Sequence, residues 1–140
     1  MIRFDPRYFV TFNFSDNQVI LYLNNALRDL TIAKENKRPE VKFSYSYNAL
    51  IKAGIALLAG AGNVKVRSIP GHHVKLIEKM SEVLKDKSIE ETGNAMRAKR
   101  NRDFYDGGVF ISEKESLDYY MFTEEILLKI KRFLRQKEAR

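Results

Sequence analysis

Residues 44–62 read SYSYNALIKAGIALLAGAG and decide the fold. Tyr47, Leu50, Ile51, Gly54, Leu57 and Leu58 recur at spacings of three and four, the period of one face of an α-helix. Ala53, Gly54 and Ala56 are small enough to let a neighbouring helix approach closely. The spacing predicts a helix that begins near Ser44 or Ser46 and is stopped by Gly60 and Gly62. Its most apolar part, 53–61, is about half of the ~20 residues that a membrane-crossing helix needs, so it reads as a buried core helix.

Working outward, Ser15-Asp16 offers an N-cap. From there Val19, Ile20, Leu23, Leu27 and Leu30 hold helical spacing up to the polar run 34–40, where Pro39 is expected to end any helix. On the other side, Gly71-His72-His73 opens a helix carrying Val74, Ile77, Met80 and Leu84. A fourth helix starts at a Ser88 cap, with Glu90 and Glu91 in its first turn, and runs to about Tyr105. Asp106-Gly107-Gly108 breaks the pattern. The last helix is capped by Ser112, carries Leu117, Tyr120, Met121, Ile126, Leu127, Ile130, Phe133 and Leu134, and ends in Lys129, Lys131, Arg132 and Arg135, which complement its dipole. Five such segments with short connections predict an all-α protein, a four- to five-helix antiparallel bundle forming a single domain over 15–140.

Residues 1–14, MIRFDPRYFVTFNF, form an aromatic extension holding Phe4, Tyr8, Phe9, Phe12 and Phe14. That many rings are expected to pack on the body or on a second subunit. Val10, Phe12 and Phe14 alternate with Thr11 and Asn13, which permits a strand. A lone strand has no evident partner, so extended packing is the expectation.

Composition narrows the class. The 140 residues are 44% hydrophobic and 31% charged, which excludes a disordered tail. The absence of cysteine excludes a disulfide scaffold, a thiolate zinc site, an iron–sulfur cluster and a cysteine nucleophile, and it suits a reducing cytoplasm. The first residues lack a signal-peptide apolar region, so a cytoplasmic protein without membrane association is expected. A formal net charge of +7 favours nucleic acid or another acidic partner.

Most motif candidates have a structural reading. Gly60-Ala61-Gly62 follows a helix and lacks the third glycine or the Lys-Ser/Thr of a phosphate loop, so it reads as helix termination. His72 and His73 are adjacent, hence about 100° apart on a helix, with no carboxylate four residues on; a helix-start or interface role is expected over a metal site. No metal or cofactor is expected. Glu90-Glu91 and Glu124-Glu125 suit solvated faces.

The informative segment is 96–106, MRAKRNRDFYD. At about 100° per residue, Ile89, Gly93, Met96, Arg100 and Phe104 share one stripe, with Arg100 in its middle. A guanidinium on an apolar stripe needs carboxylates, carbonyls or an anion to satisfy its donors. Two readings stay open: a buried clamp, with Asp103 three residues on as one partner, or a cleft residue that holds a phosphate. Asn101 and Tyr105 share the adjacent face.

Over 44–135 the chain resembles the HEPN domain, the helical family named for higher eukaryotes and prokaryotes nucleotide-binding. The resemblance is carried by a Tyr-x-Ala helix (SYNALIKAGIALL), a Gly-His helix start (GHHVKLIEKM), an Arg-Asn helix end (RAKRNRDFYD) and a long terminal helix. It implies a bundle that dimerises about a two-fold axis, and many such proteins are metal-independent endoribonucleases acting as toxins or antiviral effectors. Their signature is an Arg, a polar residue, and a His four to six positions beyond the Arg. Arg100 and Asn101 match it, while Tyr105 stands where the His is expected. A tyrosine, with a pKa near 10, is a poor general base at neutral pH, although it can donate a hydrogen bond to phosphate; His72 or His73 would have to substitute from another helix.

The resemblance therefore implies a homodimer that binds RNA or a nucleotide through Arg97, Arg100, Asn101, Arg102 and Tyr105, with weak or no catalysis. A minimal nucleotidyltransferase, in a toxin-antitoxin-type pairing, is its implied partner. One alternative is an active metal-independent endoribonuclease in which Arg100 and Tyr105 are catalytic. Another is a purely structural helical dimer with Arg100 as clamp.

Overall fold

The computed structural model describes residues 2–105 and 110–138, with the side chains of 103–105 and 138 outside the described set. In chain order the elements are β1 (Phe9–Thr11), α1 (Asp16–Glu35), α2 (Pro39–Gly62), β2 (Val64–Val66), α3 (His72–Leu84), α4 (Lys87–Tyr105) and α5 (Glu113–Glu138). Among the described residues the fold is an all-α bundle of five helices with one small two-stranded ribbon. No helix among the described residues is long and apolar enough to cross a membrane.

Local chemistry sets the helix ends. At α1, Ser15 Oγ accepts the Gln18 N–H and Gln18 Oε1 accepts the Ser15 N–H, a reciprocal capping box. Pro39, expected as a stop, instead opens α2. At the first helical position its missing N–H has no intrahelical partner to lose, and its fixed φ suits the helix. Consequently α2 starts before Ser44, and only residues 36–38 separate it from α1. Nor does Gly60 stop α2. It lies within the last turns, where a Cβ would run into Leu134 and Val19, and the helix ends at Asn63 in the left-handed conformation (φ 50°). Asp86 caps α4 in place of Ser88, its Oδ1 accepting the Ser88 N–H at 3.0 Å and the Ser88 hydroxyl at 2.6 Å. Ser112 caps α5 as expected, accepting the Glu115 N–H at 3.0 Å.

Contacts between helices fix their directions. Asp29 meets Lys52 at 2.7 Å, and the Ala33 carbonyl accepts from Lys42, so α1 and α2 form an antiparallel hairpin. Ile77 faces Gly93 across α3 and α4, again antiparallel through the short turn between them. Lys99 pairs with Glu115 and Asp86 with Lys129, which sets α4 against α5 in the opposite sense. By contrast, Tyr47 meets His73 and Gly54 meets Met80 at a constant sequence offset, so α2 and α3 run parallel. Phe43 meets Tyr119 and Gly60 meets Leu134, so α2 and α5 also run the same way. The centre of the bundle is filled by Leu50, Leu57, Leu76, Ile77, Met80, Ile89, Met96, Leu127 and Ile130.

The parallel pair explains the ribbon. Helix α3 starts level with Ser46, about 16 residues before the end of α2, so the chain must return roughly 24 Å along the bundle. Residues 63–71 can span about 30 Å at full extension, so this segment has to be extended. Extended backbone leaves N–H and C=O groups unpaired, and β1 supplies the partner: Phe9 opposes Val66, Val10 opposes Lys65 and Thr11 opposes Val64, antiparallel. Flanking bonds run from the Arg67 N–H to the Tyr8 carbonyl and from the Phe12 N–H to the Asn63 carbonyl. The leader thus forms the strand that the sequence reading set aside for want of a partner. Phe9 is buried in the core, and Phe4, Tyr8 and Phe14 pack against it.

Candidate functional site

The returning segment delivers residues 68–71 to the start of α3, and there a cleft of about 410 Å³ opens against the last turns of α4. Ser68 to Val74 line one wall, and Arg97, Arg100 and Asn101 line the other. Gly71 makes the corner at φ 83°, a conformation that a residue without a Cβ adopts without strain. The Ile69 carbonyl accepts the His72 N–H at 3.1 Å, tightening the turn. Gly71 has no side chain to cap α3, so the positive end of the helix dipole meets the cleft uncapped by a side chain.

On α4 the apolar stripe is realised as far as the cleft. Ile89, Gly93 and Met96 are buried, and Arg100, next on the same line, is partly buried at the cleft wall. Gly93 matters because a Cβ there would meet Ile77 Cγ2 at 2.9 Å; its absence lets α4 lie close on α3. The Arg100 guanidinium carbon sits 5.5 Å from the centre of the Tyr47 ring, within cation–π range. Arg97 Nε donates to Asn94 Oδ1 at 3.3 Å.

The two histidines, weighed from sequence as a helix start, stand in this same cleft. Their ring centres are 4.2 Å apart, with the planes inclined at 62°. His72 Nδ1 lies 2.7 Å from the Ile69 carbonyl oxygen, and His73 Nδ1 lies 2.9 Å from the Tyr47 hydroxyl. Burial pushes the Tyr47 hydroxyl up to about 12, against the opposing pull of the Arg100 and Arg97 charges. Burial, reinforced by His72, Arg100 and Arg97, pushes His73 down to about 4. At neutral pH Tyr47 therefore keeps its proton and His73 is uncharged.

The sequence candidates divide accordingly. Arg97, Arg100 and Asn101 come together in the cleft, whereas Arg102 is exposed and off its lining. Tyr105 closes α4, and its side chain and that of Asp103 lie outside the described residues. Glu90, Glu91 and Glu125 are exposed, and Glu124 accepts from the Tyr120 hydroxyl at 2.8 Å; none lines the cleft. Among the described residues no group of three or more His, Asp or Glu is placed to hold a metal ion.

Tyr47 is the residue that sequence reasoning missed. In the pattern it is one more apolar position of α2, and only the parallel docking of α2 on α3 reveals that its hydroxyl reaches His73. No family model, no curated protein and no solved structure matches this chain.

Proposed function

We propose that this protein binds RNA or a nucleotide by its phosphate, in the cleft between the start of α3 and the end of α4, with weak or no catalysis. One observation carries the reading: Arg97, Arg100, His72 and His73, from two helices, line a single cleft of about 410 Å³. Guanidiniums donate in a planar fork suited to phosphate oxygens, and the helix start adds partial positive charge on the opposite wall. The overall charge of +7 adds attraction at longer range. The homodimer and the companion nucleotidyltransferase enter this reading with the HEPN resemblance.

Fluorescence anisotropy with a short single-stranded RNA tests it. Arg97→Ala and Arg100→Ala should each weaken binding about tenfold or more, the loss expected for a charge-assisted hydrogen bond, while helical circular dichroism stays at the parent value. Undiminished binding by both variants would remove the cleft from the proposal.

A second reading, a metal-independent endoribonuclease, is favoured by the two imidazoles at the same cleft. Proton transfer from a 2′-hydroxyl suits imidazole far better than the phenol of Tyr105. RNA incubated with the protein and a chelator, then resolved by gel, distinguishes the two. Cleavage lost in His72→Ala and Arg100→Ala would establish the enzyme, and intact RNA would leave binding alone.

A further inference from the structure

We propose that His72 and His73 are held as opposite tautomers and together read a phosphate with a hydroxyl beside it, His73 through an Nε2–H donor and His72 through an Nε2 acceptor. This rests on the phosphate-binding reading above and adds the feature that would select one class of phosphate. A neutral imidazole carries one N–H and one lone pair, and the partner of either nitrogen decides which is which.

At His72 the partner of Nδ1 is the Ile69 carbonyl, 2.7 Å away, which can only accept. Nδ1 therefore holds the proton, and Nε2 of the neutral ring keeps the lone pair. At His73 the order is reversed. The Tyr47 hydroxyl, on a side chain only 1% exposed, has His73 Nδ1 as its hydrogen-bond partner among the described residues. Were His73 to donate, the phenol proton would be buried without an acceptor. Tyr47 therefore donates, His73 Nδ1 accepts, and the proton of His73 sits on Nε2. The low affinity of His73 for a second proton keeps this arrangement at neutral pH.

Both residues line the cleft, and with Nδ1 engaged in each ring Nε2 is the nitrogen that remains. Arg97, Arg100 and His73 offer donors only, which an anion satisfies. Neutral His72 asks for a donor, which a bare phosphoester dianion lacks. The hydroxyl has two chemical sources: a ribose hydroxyl next to the phosphoester, or the P–OH of hydrogen phosphate itself. Tyr47 is then a positioning residue, acting through His73.

The test uses the full chain at pH 8 and four probes in calorimetry: adenosine 3′-monophosphate, its 2′-deoxy counterpart, inorganic phosphate and methyl phosphate. A ribose source makes the ribonucleotide bind about five- to tenfold tighter than the deoxynucleotide, the worth of one hydrogen bond. A P–OH source gives a similar preference for inorganic phosphate over methyl phosphate, with no effect of the sugar. In either case His72→Phe should erase the preference, so that the probe with the hydroxyl and its counterpart without it bind alike. Long-range proton–nitrogen NMR of the imidazoles, on the protein without ligand, should place the proton on Nδ1 in His72 and on Nε2 in His73; Tyr47→Phe should release only the latter. The same tautomer at both rings, or equal binding of all four probes that still depends on Arg100, would overturn this inference alone. No binding of any probe would overturn it together with the phosphate-binding reading.

Discussion

His73 occupies a place where a proton is unwelcome, and that has a consequence for acid stability. Burial, with His72, Arg100 and Arg97 nearby, lowers it from 6.5 to about 4. As pH falls through 6.5 the unfolded chain takes up a proton that the folded chain refuses, so stability falls between pH 6.5 and 4 and is whole above that window. Allowing for solvent screening at a partly exposed ring, the loss is about 1–2 kcal/mol. Asp86 does not share the window. The Lys129 hydrogen bond, then Ser88, holds its carboxyl below 3.8, so its stabilisation is present above that value and is lost only as pH falls further. Urea unfolding in pH steps should show a slope between pH 6.5 and 4 that His73→Asn flattens, since an amide oxygen can still accept from Tyr47 without titrating. A slope unchanged by the substitution would assign it to other groups. Arg100 was legible beforehand, because one charge on the Ile89–Gly93–Met96 stripe is visible in the pattern. Tyr47 was not, because a tyrosine fits an apolar stripe whether its hydroxyl is used or not.

Among the elements, those set by local chemistry could be read and those set by distant partners could not. The Ser15 capping box, the Ser112 cap and most of the helical stripes depend on residues within four of each other and stand as read, whereas Ile20 on α1 and Leu117 and Met121 on α5, counted into their stripes, are exposed. Pro39 was ambiguous because the same ring that breaks a helix interior suits a helix start. The ribbon was illegible for a deeper reason: β1 exists only because α2 and α3 run parallel and force residues 63–71 into extension. Phe9 therefore locks both the leader and the approach to the cleft. It is 3% exposed and stacks edge-on against Phe4 at 5.3 Å. Phe9→Ala should lower stability by about 3–5 kcal/mol, as for other buried rings cut to a methyl. Because β2 leads directly into the turn before His72, hydrogen exchange should also quicken at Val64 to Val66 more than at α5. Uniform acceleration across the molecule would instead mean that the ribbon has no separate bearing on the cleft.

At the scale of the whole molecule, two basic clusters lie at different levels of the bundle. Arg97 and Arg100 lie near the start of α5, where Lys99 meets Glu115. Lys131, Arg132 and Arg135 lie near its end, where Leu134 faces Gly60 and Lys137 donates to the Gly60 carbonyl. Counting along α5 from the level of Tyr47, the two clusters are roughly 15 Å apart along the bundle axis. A trinucleotide seated in the cleft does not span that distance beyond its own contacts, so short and long ligands should report different parts of the surface. For a trinucleotide, phosphate contacts to Arg97 and Arg100 alone predict a slope of log affinity against log salt of about −1.4 for single strands, and Lys131→Ala with Arg135→Ala should leave its affinity within about twofold. Lengthening the RNA until it reaches the far cluster should steepen the slope, and the same double substitution should then return it toward the short-ligand value. If the double substitution weakens the trinucleotide as much as Arg100→Ala does, the terminal turns of α5 are the phosphate site, and the α3–α4 cleft is left to the stacked Tyr47–Arg100 pair as a structural clamp.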